Sequence, residues 1–159
     1  MLVIFVLKKM KPLIILISVF ALSLVINKLF YGGYNFSLSG KIAMSAMLLF
    51  TAIGHFAYTK GMTMMLPSFI PYRTELVYLT GLMEIAAGVA LLFPAISMVT
   101  GWLLIVFFVL LLPANIYAAF NHINYQKGSL DGSGINYLWF RVPLQILFIL
   151  WVYFSAIKR

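Results

Sequence analysis

The chain has 159 residues, 64% of them hydrophobic and only 9% charged, far below the roughly 25% charge of soluble domains, so it reads as a membrane protein. Eleven Lys and Arg against three acids give a formal charge of +8, but the cations fall at the ends of apolar runs rather than in a stripe, which makes them topology signals and excludes nucleic acid as a partner. The absence of cysteine removes thiol–disulfide exchange, thiolate metal sites and Fe–S ligation from the protein's own chemistry.

Taken in order, apolar Met1 to Leu7 leads to Lys8, Lys9 and Lys11, and Met10 is an alternative start. Pro12 to Phe30 is about a full span long, and its only cleavage-like pair, Ala21 and Ser23, lies inside the apolar run, so an uncleaved helix is expected. Tyr31 to Gly40 reads as a loop and interface belt, and Lys41 to Tyr58 as a second span. Thr59 to Thr74, broken by Pro67 and Pro71, should lie on the membrane or dip into it.

Glu75 to Phe93 forms a third expected span, and Met98 to Phe120 a fourth, with Pro113 expected to kink the helix and free a carbonyl for a neighbour or for Asn115. Asn121 to Asn136 is the clearly aqueous loop, and Tyr137 to Ala156 the fifth span. With the N-terminus inside, the inner segments hold Lys8, Lys9, Lys11, Lys60, Arg73 and Lys127 against Lys28, Lys41, Lys158 and Arg159 outside, a mild bias toward N-inside.

The third span carries the feature that most needs explanation. Glu84 sits mid-run between Gly81 and Gly88, where a carboxylate costs about 2.5–3.5 kcal/mol at a helix centre, so it should face protein, pair with a cation or bind a proton. The two glycines share its face and let a neighbouring helix come close. Alternating helix directions place His55, Asn115, His122 and Arg141 in one half of the membrane, with Glu84 and Gln145 nearer the middle.

Two readings of this convergence stay open. In one, a polar cavity holds a ligand or quinone headgroup, or moves a proton, with Glu84 paired to Arg141 or His55. In the other, a buried ion pair and its hydrogen bonds fix helix register without chemistry. His55 and His122 can each be satisfied locally, and their spacing alone does not orient them as haem ligands. Arg141 can snorkel to headgroups, though it shares a face with Gln145 across Pro143. Met44, Met47, Met62, Met64 and Met65 read as gap-filling or lipid-facing rather than as a soft-metal site. No P-loop, nucleophile elbow or metalloprotease motif supports an enzymatic assignment.

From Lys41 onward, Gly54-His55-Phe56, Leu66-Pro67 with Ile70-Pro71, Leu79-Thr80-Gly81 with Glu84, Leu91-Leu92-Phe93-Pro94, Pro113-Ala114-Asn115-Ile116-Tyr117 and Arg141-Val142-Pro143-Leu144-Gln145 occur in an order that resembles the DoxX-like family of small four-span bacterial membrane proteins. The resemblance implies an all-α integral membrane fold: a four-helix DoxX-like bundle over 41–159, preceded by an extra N-terminal transmembrane helix and loop over 1–40. It implies a multi-pass protein of the bacterial inner membrane, in a family most of whose members have no established activity. It makes His55, Glu84, Asn115 and Arg141, with Gln145, the polar positions for a ligand such as a quinone. Its implied role is accessory to a quinone-linked redox system, with the lipid bilayer, a redox subunit or a second copy of the chain as partner. The alternatives are an assembly module without chemistry and a small proton-coupled carrier using Glu84.

Overall fold

The computed structural model describes residues 10–158, so Met1 to Leu7, Lys8, Lys9 and Arg159, with their share of the charge bias, lie outside the described residues. Among the described residues six α-helices follow one another: α1 (Lys11–Tyr31), α2 (Phe36–Ala57), a short α3 (Thr59–Met64), α4 (Arg73–Ala90), α5 (Ser97–Phe120) and α6 (Asn136–Val152), the last running on as a π-helical turn, Tyr153–Ile157. Among the described residues there is no strand, and the only β-type pairing is an isolated bridge between Asn124 and Ser129.

Four of these helices are long and apolar enough to cross a membrane: α1, α2, α5, and α6 together with its π turn. A helix also occupies the expected third span, but α4 carries Arg73, Glu75 and Glu84 and is not among the four. Its 18 residues make about 27 Å, close to the roughly 30 Å hydrocarbon thickness.

Helix α2 is the hub, with half of its apolar window buried against 17% for α1. It begins five residues earlier than the expected span. Asn35 caps it by accepting the Leu38 N–H at 2.9 Å, which leaves only 32–35 between α1 and α2. Gly32, at φ 71°, closes α1 in the left-handed conformation that glycine adopts without cost. The expected division at 40/41 therefore falls inside a helix.

Small polar residues register the first two helices. Ser23 donates to the Ser39 hydroxyl at 3.1 Å, and the Asn27 amide donates to the Ser23 carbonyl at 2.9 Å and to Ser39 at 3.1 Å. Ser23, read from sequence as half of a cleavage-like pair, is buried in this seam. Such interhelical bonds average about 0.6 kcal/mol, so they choose the register more than they supply stability.

At its start α2 also meets the end of the chain. A Cβ on Gly40 would stand 2.6 Å from the Ser155 Cβ, so only glycine permits this approach. Trp151 Nε1 donates to the Gly40 carbonyl at 3.0 Å, and Ser37 donates to the Ser155 carbonyl at 2.8 Å. Between these seams Leu16, Met44, Met47, Leu48, Leu104, Leu144 and Val152 form the core, with Met44 and Met47 as buried filler.

Candidate functional site

On α4 the buried residues are Val77, Gly81, Glu84 and Gly88, spaced four, three and four apart along one stripe. The other faces expose Leu76, Leu79, Leu82, Met83 and Val89. The stripe lies on α2, and its glycines set the distance. A Cβ on Gly81 would come 2.9 Å from the His55 Cβ, and Ser45 donates to the Gly88 carbonyl at 2.6 Å.

That approach encloses Glu84, only 5% exposed, against His55, 9% exposed. His55 Nε2 lies 3.4 Å from Glu84 Oε1, while the Thr51 hydroxyl donates to Oε2 at 2.8 Å. On the other side of the imidazole, Nδ1 is 3.1 Å from both the Val77 carbonyl and the Thr80 hydroxyl, and Thr80 donates to the same carbonyl at 2.9 Å. Of the two partners expected for Glu84 the structure selects His55; among the described residues Arg141 forms no ion pair with it.

Asn115 on α5 and Gln145 on α6 join those two helices, and Arg141 lies one turn before Gln145 on α6. The Asn115 amide donates to the Leu111 carbonyl at 2.9 Å, and its Oδ1 accepts from the Tyr137 hydroxyl at 3.2 Å. Asn115 thus uses the carbonyl one turn back on its own helix, not the Val109 carbonyl that Pro113 deprives of a donor, and α5 continues unbroken through Pro113. The Gln145 amide donates to the Phe108 carbonyl. Two buried side-chain atoms on α6 have no hydrogen-bond partner among the described residues: Arg141 Nε, a donor, and Gln145 Oε1, an acceptor, on residues four positions apart.

His122 stands apart from both groups. It is exposed in the loop after α5 at φ 50°, with its ring against Gly134. Sequence reasoning missed Thr51 and Thr80, although Thr51 lies one turn before His55 on the same face. It also missed Tyr137, one turn before Arg141 in the row 137–141–145.

The loop between α5 and α6 is docked on α3. Any Cβ at Gly61 would overlap the Tyr125 carbonyl, and the Tyr125 ring meets Tyr58 edge-on at 6.2 Å. Burial pushes the Tyr125 phenol above its ordinary value of 10.0, with Tyr137 adding to the rise and Arg141 opposing it. The sign follows: docking is fully supported below the ordinary phenol value and loses support as pH rises through the raised one. Tyrosinate absorbance in an alkaline titration should therefore show one phenol ionising later than free tyrosine, and substituting Tyr125 by Phe should remove that component.

A cleft of about 510 Å³ opens at the start of α4, lined by Lys60, Thr63, Tyr72, Arg73 and Glu75 among others. It contains none of the five residues singled out from sequence. Arg73 and Glu75 are about 13–17 Å along the helix from Glu84.

A family model described as a domain of unknown function (DUF8561) matches residues 44–156, from within α2 to the π turn, and so spans all five. No curated protein and no solved structure matches the chain.

Proposed function

The chain belongs to the DUF8561 family, and on that premise we propose that it is a multi-pass inner-membrane protein with a DoxX-like arrangement of α2, α4, α5 and α6, to which α1 is added. Its role in this reading is accessory: it binds the headgroup of an apolar-tailed ligand, a quinone or quinol, and serves a membrane redox system without catalysing a reaction itself. The observation that carries the reading is the pair of buried atoms on α6 without a partner among the described residues, Arg141 Nε and Gln145 Oε1.

Buried polar atoms without partners cost about 1–3 kcal/mol each, so a ligand that satisfies both gains that amount on binding. A quinone carbonyl accepts from the Arg141 N–H. A quinol hydroxyl donates to Gln145 Oε1 as well. Tyr137 and Asn115 flank the position, and lipid-facing apolar residues such as Leu110 and Ile146 leave room for an isoprenoid tail along the seam. The exposed apolar faces of α1, α4 and α5 favour a bilayer as the surrounding medium.

A second reading, an assembly module, is favoured by the way the Ser23–Asn27–Ser39 and Ser45–Gly88 bonds are satisfied within the chain. Native mass spectrometry from mild detergent separates the two. The expected result is a quinone-mass adduct on the wild type that is lost from Arg141→Leu while the variant keeps its helical content. A bare chain, or one carrying only lipid and another polypeptide, would overturn the redox reading in favour of assembly.

A further inference from the structure

The end of α2 and the start of α4 lie at the same end of the bundle. His55 packs against Gly81 while Ser45 bonds the Gly88 carbonyl, so the two helices run antiparallel, and the cleft of about 510 Å³ opens where α4 begins. Its volume falls within the roughly 300–1,000 Å³ of ligand sites. Phe69 and Tyr72 stand exposed at this end, aromatic side chains of the kind that settle at headgroup level.

Two cations from different helices line the cleft, Lys60 on α3 and Arg73 on α4, and among the described residues neither forms an ion pair. Neutral contacts hold both. The loop between α5 and α6 covers the Lys60 stem, since a Cβ at Gly128 would meet Lys60 Cδ at 3.5 Å. Arg73 gives one of its N–H groups to the Leu66 carbonyl at 3.4 Å, which leaves the rest of the guanidinium fork for an anion.

The acids decide which anion fits. The chain has three: Glu84 is enclosed against His55, Asp131 lies 3.2 Å from Lys127, and Glu75 lines the cleft. Two cations and one carboxylate leave the cleft with a formal charge of +1. One phosphodiester neutralises it. A free phosphate or phosphate monoester carries about −1.5 to −2 at neutral pH and is opposed by Glu75. Thr74 adds a hydroxyl that can donate, whereas Thr63 has given its proton to the Lys60 carbonyl at 2.7 Å and can only accept.

We propose that this cleft binds the phosphodiester of an anionic phospholipid, with Lys60 and Arg73 on the phosphate oxygens and Thr63 accepting from a headgroup hydroxyl. The acyl chains then run along the exposed face of α4 that carries Leu76, Leu79 and Met83. Such a lipid ties α3, and with it the docked α5–α6 loop, to the start of α4. The site requires the bilayer placement proposed above but not the quinone, since neither Arg141 nor Gln145 lines the cleft.

The test uses the full chain, delipidated in neutral detergent and titrated with phosphatidylglycerol, with bound lipid counted by native mass spectrometry and helical content checked by circular dichroism. Lys60→Gln/Arg73→Gln should lose affinity by about tenfold or more. Lys28→Gln/Lys158→Gln removes the same charge outside the cleft and should change affinity by less than about twofold. Glu75→Gln should bind the lipid more tightly than the wild type, a gain that misfolding does not produce. Phosphatidylcholine, whose headgroup has no net charge, should bind more weakly, and inorganic phosphate should not displace phosphatidylglycerol. Unchanged affinity in the Lys60/Arg73 variant, an equal loss in the Lys28/Lys158 control, weaker binding by Glu75→Gln or equal binding of phosphatidylcholine would each overturn the proposal. Displacement by inorganic phosphate would overturn it too, and make the cleft a site for a soluble anion. A quinone adduct, present or missing in the same spectra, has its own mass and bears only on Arg141 and Gln145.

Discussion

Replacing His55 by leucine is expected to destabilise the chain by about 3–5 kcal/mol, the usual cost of removing one partner from a buried pair. The variant leaves Glu84 enclosed with a single hydrogen bond, from Thr51. The double variant His55→Leu/Glu84→Met should recover most of the loss, because two apolar side chains of similar size replace the pair without an unpaired group. Reversible unfolding in mixed detergent micelles measures all three. A double variant as unstable as the two singles added together would show that the residues are not coupled. Recovery would show that the pair specifies the α2–α4 contact rather than supplying its strength.

Alanine at Gly61 should release the loop between α5 and α6, at a cost of about 1–3 kcal/mol. The new Cβ would overlap a backbone carbonyl, which cannot rotate aside as a flexible side chain can. Hydrogen exchange and limited proteolysis over 121–135 should both rise, and the late-ionising Tyr125 phenol should move back toward its ordinary value as the ring becomes solvated. Gly54→Ala is the matched control. Its Cβ would meet Met62 Cε at 3.6 Å, an ordinary contact, and the helix-propensity gain of up to about 1 kcal/mol should leave that variant at least as stable as the wild type.

The helices were legible because apolar runs of span length dominate the sequence, and the inward face of α4 because Gly81, Glu84 and Gly88 repeat at heptad spacing. Glu84's partner was only half legible. Both His55 and Arg141 lie at suitable depth, and the choice depends on the α2–α4 register, which Ser45 and the Gly88 carbonyl set through a contact between distant segments. The start of α2 was hidden because Tyr31 to Asn35 looks like a turn and interface belt, while the Asn35 cap is visible only once the Leu38 N–H is seen to point at it. Asn115 was linked to the carbonyl freed by Pro113; a side-chain amide on a helix reaches the carbonyl one turn back more easily, and Leu111 supplies it. Tyr125 was out of reach of pattern reading, since its burial comes from a loop folding over a glycine more than sixty positions earlier.

The seam between the start of α2 and the π turn bears on the order in which the chain is assembled. Its two bonds join residues 118 and 111 positions apart, whereas the α1–α2 bonds close loops of 16 and 12. During synthesis the α1–α2 hairpin can therefore form first, and α4 can dock on the exposed side of α2 before α6 exists. The Gly40 face of α2 must wait uncovered until Trp151 and Ser155 arrive. Until then it is an open groove, which the π turn Tyr153–Ile157 covers at the start of α2.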